Sequence, residues 1–187
     1  VGVVGAKLWY PDETLQHGGC ILGIGGVAGH AHRFLKKGKI GYMGRAAVTQ
    51  SLTAVTGACL LVRRDIYFEV GGMDEEHLKV AFNDIDFCLK VNASGYRNIW
   101  TPFAELYHHE SATRGFDITP EKKNRLRKEA LFIQEKWGEL LNNDPAYNLN
   151  LSLDREDFGA GWPPRNETPD SALILITTKI GKTGVYM

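Results

Sequence analysis

The sequence lacks a charge excess, a long apolar run and a signal peptide, and each absence excludes a class of protein. Its 22 basic and 22 acidic side chains cancel, so no overall field attracts nucleic acid. The longest apolar stretch, residues 53–62, is too short and too interrupted to span a bilayer. The N-terminus has no basic segment followed by an apolar core. We therefore expect a cytoplasmic protein without a nucleic-acid partner, and peripheral contact with a membrane stays open.

Cysteine is also scarce, and its spacing argues against both disulfides and zinc. Cys20, Cys59 and Cys88 are an odd number of widely separated residues, and no Cys-x-x-Cys motif is present. A disulfide framework needs pairs, and a zinc knuckle needs closely spaced ligands. The three side chains are instead predicted to be small buried apolar groups in a reducing compartment.

The hydrophobic pattern predicts strands alternating with helices. Strands are predicted over residues 1–10, 14–22, 50–63, 98–101 and 104–108, and helices over residues 64–70, 83–95 and from 119 onward. The glycine-rich stretch from Gly18 to Gly44 is predicted to be a long loop. A chain of 187 residues suffices for one domain with a core. The alternation indicates the α/β class.

The first candidate for chemistry is the segment Asn83-Asp84-Ile85-Asp86 at a loop-to-helix junction. A carboxylate there lies near backbone N–H groups and the positive end of the helix, which favour its negative charge. A general base needs a carboxylate in that form. Aspartate is also a common helix cap, so the residues alone favour a capping role for Asp84 or Asp86, and Asn83 is a further candidate for the N-cap.

Two further segments could contribute to a site. His108-His109-Glu110-Ser111 ends an extended segment and is followed by Arg114, and such side chains bind a divalent ion or clamp a diphosphate. The competing interpretation is a pair of half-exposed histidines and a solvated arginine. Within Val55-Thr56-Gly57-Ala58, the glycine leaves room for a ligand or a neighbouring backbone, although core packing explains it equally well.

The order of these motifs resembles that of a known family. From Val55 to Ser111 the chain reads VTGACLLVRRDIYFEVGGMDEEHLKVAFNDIDFCLKVNASGYRNIWTPFAELYHHES. This stretch is similar to the C-terminal half of family 2 glycosyltransferases with the GT-A fold, in a bacterial rhamnosyl or polysaccharide-type subgroup. The similarity covers about residues 1–158. It implies a partial GT-A fold of mixed sheet and flanking helices, with the acceptor and catalytic-base half in residues 1–142 and an extended C-terminal tail in residues 143–187.

The resemblance also implies roles for individual residues. Asp84 matches the base that deprotonates the acceptor hydroxyl in an inverting displacement. The residues expected to border the acceptor and the donor sugar are Thr56, Gly57, Ala58, Asn83 and Asp86. The residues expected to hold the metal or the diphosphate are His108, His109, Ser111 and Arg114.

The implied reaction transfers a hexose or deoxyhexose from a nucleotide-sugar, such as a UDP- or dTDP-sugar, to a glycan or lipid-linked acceptor. Mg²⁺ or Mn²⁺ is the implied cofactor. The sequence departs from the family twice. Asn83 stands where the family usually has glutamate, and the family's nucleotide-binding strands and Asp-x-Asp metal motif lie upstream of the position matching Val1.

Two alternatives therefore stay open. The chain could be a non-catalytic sugar-binding, nucleotide-binding or assembly module that forms a homo-oligomer or pairs with a complementing N-terminal half. A metal-dependent phosphohydrolase could instead be built on His108, His109, Asp84 and Asp86, although that ligand set is thin.

Overall fold

The computed structural model describes residues 1–109 and 119–165. Within these ranges the strands are β1 (Val3–Trp9), β2 (Leu15–His17), β3 (Cys20–Leu22), β4 (Ala28–His30), β5 (Gln50–Leu52), β6 (Leu60–Val62) and β7 (Asn98–Tyr107). The α-helices are α1 (Arg64–Glu69), α2 (Asn83–Ala93) and α3 (Pro120–Asn142), and short 3₁₀ turns cover Ile24–Gly26 and Tyr42–Ala47.

The main sheet is mixed, and β1 is at its centre. β1 and β7 run parallel, whereas β2 and β6 pair with β1 in the antiparallel direction and β5 pairs antiparallel with β7. β3 and β4 form a separate antiparallel pair. Because helices accompany this mixed sheet, the predicted α/β class is confirmed, and the architecture is consistent with a partial nucleotide-sugar transferase fold.

The core lies where α2 and α3 pack on the sheet. Phe87 of α2, Trp100 of β7 and Ile133 of α3 are fully buried in one hydrophobic cluster. Truncating a buried aromatic ring of this size typically costs about 3–5 kcal/mol. The helix that carries Asp84 is therefore held firmly against the sheet.

The single strand predicted over residues 50–63 is wrong. Gln50–Leu52 pairs with β7, Leu60–Val62 pairs with β1, and a turn separates the two. In this turn the N–H groups of Thr56 and Gly57 donate to side chains rather than to a neighbouring strand. An apolar run that appears continuous in the sequence is thereby divided between two places in the sheet.

The two short strands predicted around Pro102 are instead one continuous strand, β7. The register between β1 and β7 shifts between Gly5 and Lys7, opposite the segment that contains Pro102. Proline cannot donate to a strand ladder and is tolerated where pairing is interrupted. The strand therefore passes through the proline and ends at Tyr107.

Glycines explain another difference from the sequence prediction. The strand predicted over residues 14–22 is broken into β2 and β3 at Gly18-Gly19, where Gly19 has a φ of +100°. The stretch from Gly18 to Gly44, predicted as a loop, includes β3 and β4. Left-handed backbone is open to glycine but costly for other residues, so the chain turns there and starts a second small sheet.

Several element predictions are confirmed. β1 lies within the first ten residues, α1 ends before Gly71 with its φ of +77°, and α2 ends before Gly95. Thr119 caps α3 by accepting the N–H of Lys122 at 3.3 Å. Within the described residues, no helix is both long and apolar enough to cross a bilayer.

The cysteine prediction holds for two of the three side chains. Cys20 and Cys88 are buried, whereas Cys59 is half-buried. Burial raises the pKa of Cys20 well above its ordinary value and that of Cys88 to about 12. Both buried side chains are therefore neutral thiols at physiological pH.

Residues 143–165 contact the rest of the domain through a buried carboxylate. Asp144 is 3% exposed and accepts the N–H of Leu22 at 2.9 Å and that of Ala146 at 2.8 Å. It also accepts the hydroxyl of Thr53. These bonds tie the start of the predicted tail to β3 and to the segment after β5. The predicted division at residue 142 stays a prediction.

Candidate functional site

Asp84 lies at the start of α2 and faces the turn between β5 and β6. Its Oδ2 accepts the N–H of Gly57 at 2.7 Å, and its Oδ1 accepts the N–H of Ile85 at 2.9 Å. The side chain is half-buried. A carboxylate that receives backbone N–H bonds at a helix start is oriented while one side of it stays accessible.

The capping interpretation is wrong for all three residues, Asn83, Asp84 and Asp86. The residue before the first turn of α2 is Phe82, which has a left-handed φ of 62° and makes no side-chain cap bond. Asp84 is the second residue of the helix, and its carboxylate reaches across to another segment. The usual capping geometry is replaced by a contact between two distant parts of the chain.

The structure brings the turn of Thr56, Gly57 and Ala58 against Asp84. These two segments were separate candidates in the sequence. Thr56 Oγ1 accepts the N–H of Ala58 at 3.3 Å, which closes the turn. A Cβ at residue 57 would lie 3.2 Å from the Cβ of Asp84. Glycine therefore permits the close approach, and the group that approaches is the candidate base.

A fully buried histidine that the sequence analysis missed supports this turn. His17 Nε2 lies 3.3 Å from the backbone nitrogen of Thr56, and His17 Nδ1 lies 2.9 Å from Nδ1 of His30. Burial, with a smaller contribution from His30, lowers the pKa of His17 well below 6.5. The available signal was a histidine at the end of a short apolar strand, immediately before two glycines.

His108 lies at the end of β7. Its backbone N–H donates to the carbonyl of Trp9 at 2.9 Å, and its Nδ1 lies 2.8 Å from Oε1 of Gln16. An Nδ1–H that donates to this carbonyl oxygen leaves Nε2 with its lone pair, as in histidines that bind metals. Because Gln16 precedes His17 on β2, this short strand contacts both His108 and the turn at Thr56.

The remaining predicted residues are placed differently. His109 is exposed and Asn83 is half-buried. Ser111 and Arg114 lie outside the described residues.

Asp86 is fully buried and bonds to α3, where Trp137 Nε1 donates at 2.8 Å and Lys136 Nζ lies 2.7 Å away. Its carboxylate therefore joins two helices.

A second buried acid, Glu129, positions the segment before α2. It is 2% exposed, and its Oε2 accepts the N–H of Ala81 at 2.6 Å. Glu129 lies in the helix predicted from residue 119 onward, where a single glutamate among many charged residues is inconspicuous. α3 therefore contacts the chain on either side of Asp84: Glu129 bonds to Ala81, and Trp137 and Lys136 bond to Asp86.

Among residues 1–109 and 119–165, one group of three metal-ligand side chains comes together: His17, Cys20 and His30, with their ligand atoms within 4.8 Å of one another. It differs from the predicted set around His108 and His109. The group adjoins the turn that contacts Asp84, because His17 Nε2 accepts the N–H of Thr56.

Comparison with known proteins gives four matches, two of them to one rhamnosyltransferase in two strains. No family model and no solved structure matches the chain. The chain is 54% identical over 163 residues to "Uncharacterized protein y4gI" of Sinorhizobium fredii (strain NBRC 101917 / NGR234), which is 87% of this chain and 18% of that protein. It is 38% identical over 168 residues to the O-antigen biosynthesis protein RfbC of Myxococcus xanthus, which is 89% of this chain and 13% of that protein.

A shorter match reaches a protein with a named reaction. The chain is 35% identical over 82 residues to the N-acetylglucosaminyl-diphospho-decaprenol L-rhamnosyltransferase of Mycobacterium tuberculosis (strain ATCC 25618 / H37Rv), which is 44% of this chain and 26% of that enzyme. The chain thus spans about a quarter or less of each relative. The names of RfbC and of the rhamnosyltransferase support a glycosyltransferase-like family for this chain.

Proposed function

We propose that this chain is the acceptor side of an inverting family 2 glycosyltransferase with a GT-A fold, and that Asp84 is its general base. The observation that carries the proposal is the carboxylate of Asp84, oriented by the N–H of Gly57 at 2.7 Å and half-accessible at a helix start. The relatives support the class of reaction.

The proposed step is a single displacement. Asp84 takes the proton of an acceptor hydroxyl, and the oxygen attacks the anomeric carbon of the donor sugar. The bond from that carbon to the diphosphate oxygen breaks, and the nucleoside diphosphate leaves with the electron pair. Attack opposite the leaving group inverts the anomeric configuration. The N–H of Gly57 would keep the Asp84 carboxylate in position during this transfer.

We further propose that His108 contributes to the donor side. A bound Mg²⁺ or Mn²⁺ would neutralise charge that develops on the leaving diphosphate. His108 Nε2 suits one position on such an ion because Nδ1 is engaged by Gln16. Oxygen ligands suit both Mg²⁺ and Mn²⁺, so His108 would be a single nitrogen ligand on an ion held mainly by oxygen atoms. The donor phosphates would supply oxygen ligands to the same ion.

The test compares Asp84→Asn with Asp65→Asn in the full-length protein. Asp65 is an exposed carboxylate paired with Arg63 at the surface, so its variant controls for charge removal. UDP- and dTDP-sugars are offered with polyprenyl-diphosphate-linked N-acetylglucosamine, an acceptor chosen from the name of the rhamnosyltransferase relative. Transfer is followed by release of nucleoside diphosphate, and the product anomer is assigned by NMR.

We expect Asp84→Asn to lower kcat by about 10²–10⁴-fold, the usual contribution of a general base. Asp65→Asn should keep the parent activity, and the product should have the inverted configuration. Undiminished transfer by Asp84→Asn would overturn the assignment. Nucleotide binding without transfer by the parent protein would favour the alternative of a non-catalytic module.

A further inference from the structure

A series of three hydrogen bonds connects His30 and His17 to Asp84 through the backbone of Thr56 and Gly57. His30 Nδ1 and His17 Nδ1 are 2.9 Å apart, His17 Nε2 is 3.3 Å from the nitrogen of Thr56, and the nitrogen of Gly57 is 2.7 Å from Asp84 Oδ2. The first two involve side chains that the proposed transfer step does not use.

The contact with Thr56 determines the tautomer of His17. A backbone N–H is only a donor, so the Nε2 that faces it must carry a lone pair. A neutral imidazole then has its proton on Nδ1, which donates to Nδ1 of His30. His30 in turn carries its own proton on Nε2. This is the arrangement of neutral rings that lets every bond in the series form.

The same geometry argues against a metal ion between His17, Cys20 and His30. Two histidine nitrogens on a tetrahedral zinc lie about 3.3 Å apart, whereas these nitrogens are 2.9 Å apart. Metal at Nδ1 of His17 would also move its proton to Nε2, where it would face the N–H of Thr56.

The position of His17 suits it to hold a backbone segment. It is fully buried on β2, pairs in register with Leu8 of β1, and packs edge-to-face against His30 with the ring centres 5.0 Å apart. Such a ring has little freedom to move. The next residue after its bonding partner Thr56 is Gly57, whose N–H reaches Asp84.

We propose that His17, fixed as the Nδ1–H tautomer by His30, is a positioning residue that sets the location of Asp84 through the backbone of Thr56 and Gly57. The positional part of this inference stands on the hydrogen bonds alone, and its consequence for transfer rests on the proposed function. If His17 only stabilised the fold, loss of its Nε2 would leave the hydrogen bond between Gly57 and Asp84 unchanged.

A matched pair of variants separates the two nitrogens. The amide of glutamine reaches about as far as Nε2 and can still accept the N–H of Thr56, whereas asparagine reaches only about as far as Nδ1. In His17→Asn we expect amide exchange at Thr56 to accelerate roughly tenfold, the value of one lost hydrogen bond. The amide proton of Gly57 should also lose the downfield chemical shift that its hydrogen bond to Asp84 produces. His17→Gln should retain both properties.

The unmodified 187-residue chain provides a measurement that does not depend on the folding of any variant. Long-range ¹H–¹⁵N correlation of the histidine rings reports which nitrogen carries the proton. We expect His17 to be protonated at Nδ1, with no change when Zn²⁺ is added. Protonation at Nε2, or a Zn²⁺-induced shift of the His17 and His30 signals at micromolar metal, would overturn the proposal.

Kinetics of the same two variants in the full-length protein test the consequence for the reaction. We expect His17→Asn to lower kcat on the order of tenfold through misplacement of the base, with little change in the donor KM, and His17→Gln to restore most of the rate. If Asp84→Asn retains activity while the Gly57 signal still depends on residue 17, the proposed function fails and the positional inference holds. Equal Gly57 signals in both variants would overturn the positional inference itself.

Discussion

At the scale of single residues, the candidate site depends on Gly57, because this residue has no Cβ. Gly57 lets the β5–β6 turn approach α2 so closely that its N–H bonds to Asp84 at 2.7 Å. The sequence indicated that something would approach this glycine, but it could not indicate what. Asp84 and Gly57 are 27 positions apart, and no local pattern encodes a contact between one loop and the first turn of a later helix.

Gly57→Ala should damage the site more than the fold. The added Cβ would lie 3.2 Å from the Cβ of Asp84, so the carboxylate must shift by a few tenths of an ångström and its bond to residue 57 must lengthen. We expect kcat to fall on the order of tenfold, since small misplacements of reacting groups are costly. Stability should change by less than about 1 kcal/mol, because alanine also restricts the unfolded chain.

Gly138→Ala is the matched control for this substitution. Gly138 lies within α3, and a Cβ there meets nothing within 4 Å. The change should leave transfer unaffected and stabilise the helix by about 0.5–1 kcal/mol. Transfer assays and urea unfolding of the two variants check both expectations. A Gly57→Ala protein with parent activity would show that the close approach is dispensable.

At the scale of elements, the sequence predicts what is local and misses what is shared between segments. The start of α3 follows from Thr119 and Pro120, and the end of α1 follows from Gly71, because caps and left-handed glycines are local signals. The split of residues 50–63 into β5 and β6 depends on partners in β7 and β1. The sequence of that segment alone favours one strand.

The same distinction applies to the two aspartates of α2. The resemblance to family 2 glycosyltransferases implied that both act at one sugar site, but they lie on different sides of the helix start. Asp84 bonds to the β5–β6 turn, whereas Asp86 bonds to Trp137 and Lys136 of α3. The side on which each carboxylate lies depends on where α3 packs, which helical periodicity does not define.

Asp86→Asn should therefore mainly affect stability. Asparagine can still accept from Trp137, but it leaves Lys136 and Lys90 without their buried counter-charge. Removing one member of a buried ion pair costs about 3–5 kcal/mol, and we expect less, roughly 2 kcal/mol, because both lysines reach solvent. Urea unfolding at neutral pH measures this loss, with Asp84→Asn as the matched variant expected to lose less, about 1 kcal/mol, because it weakens hydrogen bonds at a half-buried position. Unchanged stability with lost transfer would instead assign Asp86 to sugar binding.

At the scale of the whole molecule, we expect stability to decrease in acid because two histidines are buried in neutral form. The net charge is zero, yet His17 and His32 are buried. Burial, together with the positive charges of Arg45 and Lys7, lowers the pKa of His32 from 6.5 to about 4. Burial also lowers the pKa of His17 well below 6.5. Just below pH 6.5 the unfolded chain therefore binds protons at His17 and His32, whereas the folded chain does not.

Stability should consequently fall as the pH drops below 6.5, the ordinary histidine pKa. Above that pH neither state binds these protons, so the two histidines leave the free energy of unfolding unchanged. Below it the unfolded state binds them first, and stability declines until the pH reaches the lowered pKa values of the folded state. Between about pH 7.5 and pH 5.5 we expect a loss of roughly 1 kcal/mol per buried histidine.

Urea unfolding across this pH range measures the slope, and two variants assign it. His32→Asn removes one of the responsible groups, and asparagine tolerates the left-handed φ of 58° at this position. Its stability at neutral pH should be lower, because the stacking on Phe158 is lost, but its dependence on pH should be about half that of the parent. His109→Asn changes an exposed histidine and should reproduce the parent slope. A parent protein with equal stability at both pH values would contradict the burial of these neutral rings, and with it the tautomer on which the positioning of Asp84 depends.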